Sequence, residues 1–129
     1  MARLLEVGYT VLVPYGDSSR YDLVIEDGDG RFWRVQCKTA YMEKDRHDEG
    51  HLQFATASLR SRQGNGHISY SRQKYQGEVD YFAVYSHELK KVYLVPAEHV
   101  ADRTRMNLRQ APSKNNQKRG VHFAADYEV

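Results

Sequence analysis

Residues 20–40 read RYDLVIEDGDGRFWRVQCKTA, and the alternation inside this stretch decides the fold. Tyr21–Glu26 and Arg31–Thr39 are rich in β-branched and aromatic residues and flank DGDG, the pattern of a β-hairpin. Successive side chains on a strand point to opposite faces. Tyr21, Leu23 and Ile25 therefore share one face with Trp33, Val35 and Cys37, and that face is the expected core. Burying Leu23, Ile25, Trp33 and Val35 is worth roughly 1.5–3 kcal/mol per side chain. A one-residue slip would expose the whole set, so the register is well specified. A three-residue loop, Gly28-Asp29-Gly30, with both glycines supplying positive φ, sets Asp22 directly across from Gln36.

The second face then gathers Asp22, Gln36 and Lys38 on neighbouring strands. A carboxylate is a hard oxygen ligand suited to Mg²⁺, and an amide oxygen or the Cys37 backbone carbonyl can add a neutral one. A lysine ammonium can orient an attacking water or offset charge building on a phosphate. That is equipment for phosphodiester hydrolysis. On spacing alone a solvated strand face with an ordinary Asp–Lys contact is the simpler reading.

Outward from the hairpin, Ala2–Val7 reads as a helix stopped by Gly8, and Tyr9–Val13 as a strand ended by Pro14. The helix has no N-cap residue before it and is short, like the second half of a longer one. Residues 41–51 read as a polar loop, and His51–Ser58 is ambiguous, with a short strand as one reading. The acid-free segment 60–76 reads as a mobile basic loop with a short helix near its end. Val79–Tyr85 and Lys91–Val95 read as strands, Pro96–Val100 as a short helix, Arg105–Gln110 as a further strand and 111–120 as a basic loop. The expected architecture is α/β: a small fold with a mixed sheet and flanking helices, in a single domain spanning 1–129.

The chain has 129 residues, 40% hydrophobic and 28% charged, an ordinary globular balance that excludes collagen-like, disordered and disulfide-framework classes. No apolar run nears the ~18 residues of a membrane span, so no membrane partner is expected. The opening MARLLEVGYTVLVPYGD lacks the apolar core of a secretory signal, and a single cysteine, Cys37, favours a reducing, cytoplasmic setting. The net charge of +2 divides unevenly: the first 54 residues are net negative and the rest net positive. An acidic pocket beside a basic surface suits an enzyme acting on a polyanion, and ordinary surface scatter fits as well. Arg60, Arg62, Arg72 and Lys74, interleaved with Tyr70 and Tyr75, form one candidate DNA-binding strip. Arg105, Arg109, Lys114, Lys118 and Arg119, with Arg103, Asn115 and Asn116, form a second. His47 and His51 have the i,i+4 spacing of a helical zinc pair, but Gly50 argues for loop there. Asp80 reads as a strand-end hydrogen-bonding residue.

The same core stretch resembles the PD-(D/E)XK nuclease superfamily, in particular the intron-encoded homing-endonuclease branch, where glutamine replaces the usual second acid. The matching residues are Arg20-Tyr21-Asp22-Leu23-Val24 and Val35-Gln36-Cys37-Lys38-Thr39-Ala40; YQGEVDYFAVY (75–85), VYLVPAEHV (92–100) and LRQAPSKNNQ (108–117) fit the same branch. The resemblance implies a small restriction-endonuclease-like core in which Asp22 and Gln36 are metal ligands and Lys38 is the catalytic lysine. It implies a Mg²⁺-dependent endonuclease, with Mn²⁺ as substitute, cutting double-stranded DNA as a homodimer or homotetramer. The rival readings are a Holliday-junction resolvase or repair nuclease, and a catalytically incomplete DNA- or partner-binding module of the same fold. Relatives carry a glutamate about three helical turns before the position of Gly8, which here falls before Met1; Glu6 lies at the wrong end of the helix to replace it.

Overall fold

A computed structural model describes residues 1–16, 19–43, 50–64, 67–74, 77–100, 104–110 and 122–129, with side chains from 58 to 76 excepted. Helix α1 (Ala2–Glu6) is followed by β1 (Thr10–Leu12), β2 (Leu23–Glu26) and the long β3 (Phe32–Glu43). Then come β4 (His51–Ala55), β5 (Ala57–Gly64), β6 (His67–Lys74), β7 (Tyr81–Ser86), β8 (Lys91–Pro96) and β9 (Arg105–Arg109), with single 3-10 turns at Ala97–His99 and Ala124–Asp126. Seven strands make one mixed sheet: β1-β2-β3-β4-β9 run antiparallel in order, and β7, carrying β8, pairs parallel with β3. The strands β5 and β6 pair only with each other.

The hairpin register is Leu23↔Val35 and Ile25↔Trp33, as the loop length requires. Asp27 locks the loop: its Oδ1 accepts the Asp29 and Arg31 N–H at 2.9 and 3.0 Å, and its Oδ2 accepts Trp33 Nε1–H at 2.8 Å. The Trp33 bond, then the Arg31 one, holds the Asp27 carboxyl below its usual pKa. Gly30 carries φ +77°, whereas Gly28 has no positive φ, so only one of the two glycines is needed for its backbone.

One apolar cluster joins Leu4 of α1 to Leu23, Ile25, Val35 and Ala83. A larger one, on the opposite face, contains Ala40, Leu52, Phe54, Phe82, Val84, Tyr93, Val95, Met106 and Leu108. The expected division into one apolar and one solvated face is therefore corrected. The parallel strand β7 alternates Tyr81 and Ala83 into the first cluster and Phe82 and Val84 into the second, as a centrally placed strand must. Gln36 and Lys38 thus share a face with buried Ala40.

Other expectations also change. The flanking helices are scarcely present: five-residue α1 and the two 3-10 turns are the helical segments among the described residues, and Pro96–Val100 supplies only one turn. β3 runs on to Glu43, so residues 41–43 are strand rather than loop. His51–Ser58 divides into β4 and the start of β5, with buried Thr56 between them donating its N–H to Thr104 O at 2.9 Å. Residues 57–64 and 67–74 pair as a two-stranded ribbon, from Ala57↔Lys74 to Gly64↔His67, where a loop with a short helix was expected. Asn65-Gly66 between them is the strongest two-residue hairpin signal a sequence carries. Cys37 lies on the α1 side but is exposed, because α1 covers Val35 with Leu4 and extends no farther. A cavity of about 210 Å³ opens there among Met1, Leu4, Cys37, Thr39, Ala83 and Tyr85. Desolvation by the surrounding chain, reinforced by the charge of Asp22, pushes the Cys37 thiol pKa up, so it is not a thiolate nucleophile at neutral pH.

Candidate active site

β3 has twelve residues and β2 four, so β3 outruns its partner. Just before β2, Asp22 donates its N–H to Val35 O at 2.9 Å. Beyond that point no β2 backbone carbonyl remains for the Cys37 N–H, and the Asp22 side chain takes its place: Oδ2 accepts that N–H at 2.9 Å. The same oxygen accepts Gln36 Nε2–H at 3.0 Å. A carboxylate receiving a backbone N–H and an amide is held in one orientation by two charge-assisted bonds. Among the described residues nothing donates to Asp22 Oδ1 or to Gln36 Oε1. Those two oxygens stand on adjacent strands at an exposed carboxylate.

Lys38 follows Gln36 by two residues, so it shares that face about 7 Å farther along the strand. It is half-buried, its backbone held opposite Val84 in the parallel ladder, and it has a partner other than Asp22. The Cys37 carbonyl lies between the two positions. The structure thus brings Asp22 and Gln36 into direct contact and sets Lys38 next in line.

Two ion pairs fix this corner from behind. Arg20 pairs with Glu78. The Arg34 guanidinium grips Asp80, Nε to Oδ2 and Nη2 to Oδ1, both at 3.2 Å, while Asp80 Oδ2 also accepts the Arg34 backbone N–H at 2.8 Å. Arg34 holds the Asp80 carboxyl below its usual pKa, and Asp80 in turn raises that of Arg34. Asp80 is therefore committed to tying β7 to β3. Glu6, on α1, pairs with Arg3 at 3.1 Å.

No group of three His, Cys, Asp or Glu side chains capable of holding an ion occurs among the described residues. The donor set is one carboxylate, one amide oxygen and a backbone carbonyl. That set fits a hard dication which keeps several waters, and it does not fit zinc, which takes nitrogen and sulfur ligands.

The basic candidates separate. Arg60 and Arg62 alternate with Leu59, whose partner is Arg72, and Ala57 pairs with Lys74. All four therefore fall on the β5–β6 ribbon. Arg105 and Arg109 end β9 across from Ala55 and His51. Lys114, Lys118 and Arg119 lie outside the described residues, as does His47. His51 is in β4 rather than on a helix, so the i,i+4 zinc reading falls.

A family profile for PD-(D/E)XK endonucleases matches residues 1–129, and the chain belongs to that family. It is an endonuclease by class, with DNA as the substrate its family implies, and such nucleases generally use divalent metals. Among solved structures it is similar in fold to a bacterial homing endonuclease, I-Ssp6803I, at 24% identity and a TM-score of 0.65. That alignment covers 98% of this chain and 79% of the other. No curated protein sequence matched it.

Proposed function

We propose that the chain is a Mg²⁺-dependent endonuclease, homing-endonuclease-like, that cuts double-stranded DNA. The observation that carries this reading is the Asp22–Gln36 contact at 3.0 Å, which leaves one oxygen of each side chain without a donor among the described residues. Asp22 Oδ1, Gln36 Oε1 and the Cys37 carbonyl would hold the ion. A divalent cation held there would supply Lewis acidity at a phosphodiester oxygen and make a bound water more acidic. Asp22 is kept ready by its two hydrogen bonds, and Gln36 adds an oxygen without adding charge. Lys38 brings an ammonium to the same face, where it orients the incoming water or stabilises charge building on the phosphate. Severing both strands takes two such sites, which supports a symmetric assembly, a homodimer or homotetramer.

The test is supercoiled plasmid with and without Mg²⁺. The expected result is metal-dependent nicking and linearisation by the parent chain and loss of both in Asp22→Ala and Lys38→Ala. Unchanged nicking in both variants overturns the assigned roles. A second reading is favoured by the single carboxylate: a DNA-binding module that no longer cuts. Gel retardation of duplex DNA with no cleavage at any Mg²⁺ or Mn²⁺ concentration selects it. Preferential cutting of four-way junctions over linear duplex selects a resolvase instead.

A further inference from the structure

β4 and β9 alternate cleanly. Leu52, Phe54, Met106 and Leu108 point inward and are at most 3% exposed. The outward row is different in kind. The register Tyr41↔Gln53 and Gln53↔Asn107 sets three side chains across β3, β4 and β9 in one rung. Tyr41 is 64% exposed, and Asn107 is also exposed. Gln53 Nε2–H donates to Asn107 Oδ1 at 3.1 Å. The neighbouring rungs bring exposed Arg105 across from Ala55, and Arg109 across from His51, with Glu43 the one acid on this face among the described residues of β3, β4 and β9.

The Gln53–Asn107 bond has a consequence for recognition. Joined as observed, the pair presents the remaining Gln53 Oε1 as an acceptor and the Asn107 Nδ2 hydrogens as donors. Turning both amides over joins Asn107 Nδ2 to Gln53 Oε1 and leaves a Gln53 donor beside an Asn107 acceptor. Either way the rung offers one donor next to one acceptor, a result independent of how the amides are oriented. Adenine's major-groove edge shows the complement: an N7 acceptor beside an N6 amino donor. Two flanking arginines supply the charge that holds phosphates at the same time.

We infer that the Gln53–Asn107 pair is a specificity element that reads an adenine in the major groove of duplex DNA, with Arg105 on an adjacent phosphate. This rests on the DNA-cutting reading above and adds which residues choose the sequence. Tyr41 lies on the opposite face of β3 from Gln36 and Lys38 and three residues beyond Lys38 along the strand, so the base the pair reads is displaced from the cut.

The experiment is selection of bound duplexes from a randomised pool by the full chain in Ca²⁺, followed by affinities on the winning sequence. The parent chain is expected to enrich adenine at a defined position, and Gln53→Ala and Asn107→Ala to lose about 5- to 100-fold discrimination there. Their salt dependence stays as in the parent, whereas Arg105→Ala lowers the slope of log K against log salt by about 0.9. Gln53→Glu keeps the shape but offers acceptors only, and it is expected to move the preference toward cytosine, whose N4 amino group donates. Because that variant is isosteric, it keeps the test decisive if an alanine variant fails to fold. Identical selected sequences from the parent and all three amide variants overturn the inference. So does a parent chain that cuts plasmid but selects no sequence, which leaves the nuclease reading standing. A chain that neither binds nor cuts DNA removes both.

Discussion

Asp22→Asn separates the two jobs of one carboxylate. In the native site Oδ2 accepts Cys37 N–H at 2.9 Å and Gln36 Nε2–H at 3.0 Å, which leaves Oδ1 for the proposed ion. An asparagine of the same shape keeps one oxygen for the Cys37 N–H. It gives up the charge assistance, about 1 kcal/mol of a bond worth about 1.5–3 kcal/mol to a charged acceptor. Exposure of Asp22 reduces even that. The fold should therefore melt within a few degrees of the parent. Activity should behave differently, because the only carboxylate of the donor set is gone. A loss of about 3–4 kcal/mol of transition-state stabilisation corresponds to a fall of roughly 10²- to 10³-fold in rate. Single-turnover nicking of supercoiled plasmid at saturating Mg²⁺, read beside a thermal melt, measures both. A variant that melts like the parent and cuts within threefold of its rate would refute the reasoning, since the carboxylate would then hold no ion that matters to the chemistry.

Four further outcomes follow from the same geometry. Lys38→Ala should lower the cutting rate about 10²-fold or more while leaving DNA retention nearly unchanged, since one ammonium among many cations acts on the transition state; parallel filter-binding and cleavage assays check the split. Chelation with EDTA should abolish cutting, and added Mg²⁺ should restore it without refolding, as monitored by circular dichroism. Asp80→Asn should destabilise the chain by about 1–2 kcal/mol at neutral pH, from a weakened backbone bond and a partly screened ion pair. Because the folded Asp80 pKa lies below 3.8, its contribution is present above that value and is lost as pH falls through the folded pKa, so melts of parent and variant should converge in strong acid. Gly30→Ala should cost about 1–2 kcal/mol because φ is +77° with open space around it, whereas Gly28→Ala should be nearly neutral; urea unfolding distinguishes them.

Much of the site-bearing hairpin was legible in the sequence because its information is local. The DGDG loop and the 2-residue period of Leu23, Ile25, Trp33 and Val35 determine a register, and the register alone carries Asp22 to Gln36. What was hidden depends on distant partners. Nothing near Gln36 announces that β7 will lie parallel beside β3 and bury Phe82 and Val84 on the same face. The ribbon of β5 and β6 was hidden for another reason: in SLRSRQG and HISYSRQK the apolar residues are few, Leu59, Ile68 and Tyr70 among basic and polar neighbours, so the alternation is too sparse to mark a strand. HLQFA and RMNLR alternate well enough to suggest strands; what no local signal shows is that the two pair, which joins Gln53 to Asn107. Asp27 escaped notice because a loop aspartate has many uses, and only the fold shows its bonds to Arg31 and Trp33.

The glutamine at the centre of the site has a physical rationale of its own. A second carboxylate at position 36 would stand against Asp22 within hydrogen-bond reach, and two such acids repel and raise one another's pKa unless a cation is already bound. An amide removes that conflict: Gln36 Nε2 satisfies Asp22 Oδ2, and its oxygen remains for the ion. On the proposed metal site the cost is one unit of negative charge, hence a weaker hold on the ion, and the gain is a corner that is ordered without it. Gln36→Glu tests this balance directly. It should tighten Mg²⁺ binding in calorimetry while lowering the melting temperature of the metal-free chain at neutral pH, with the stability difference closing as acid protonates the pair. Equal Mg²⁺ affinity in parent and variant would show that position 36 does not face the ion.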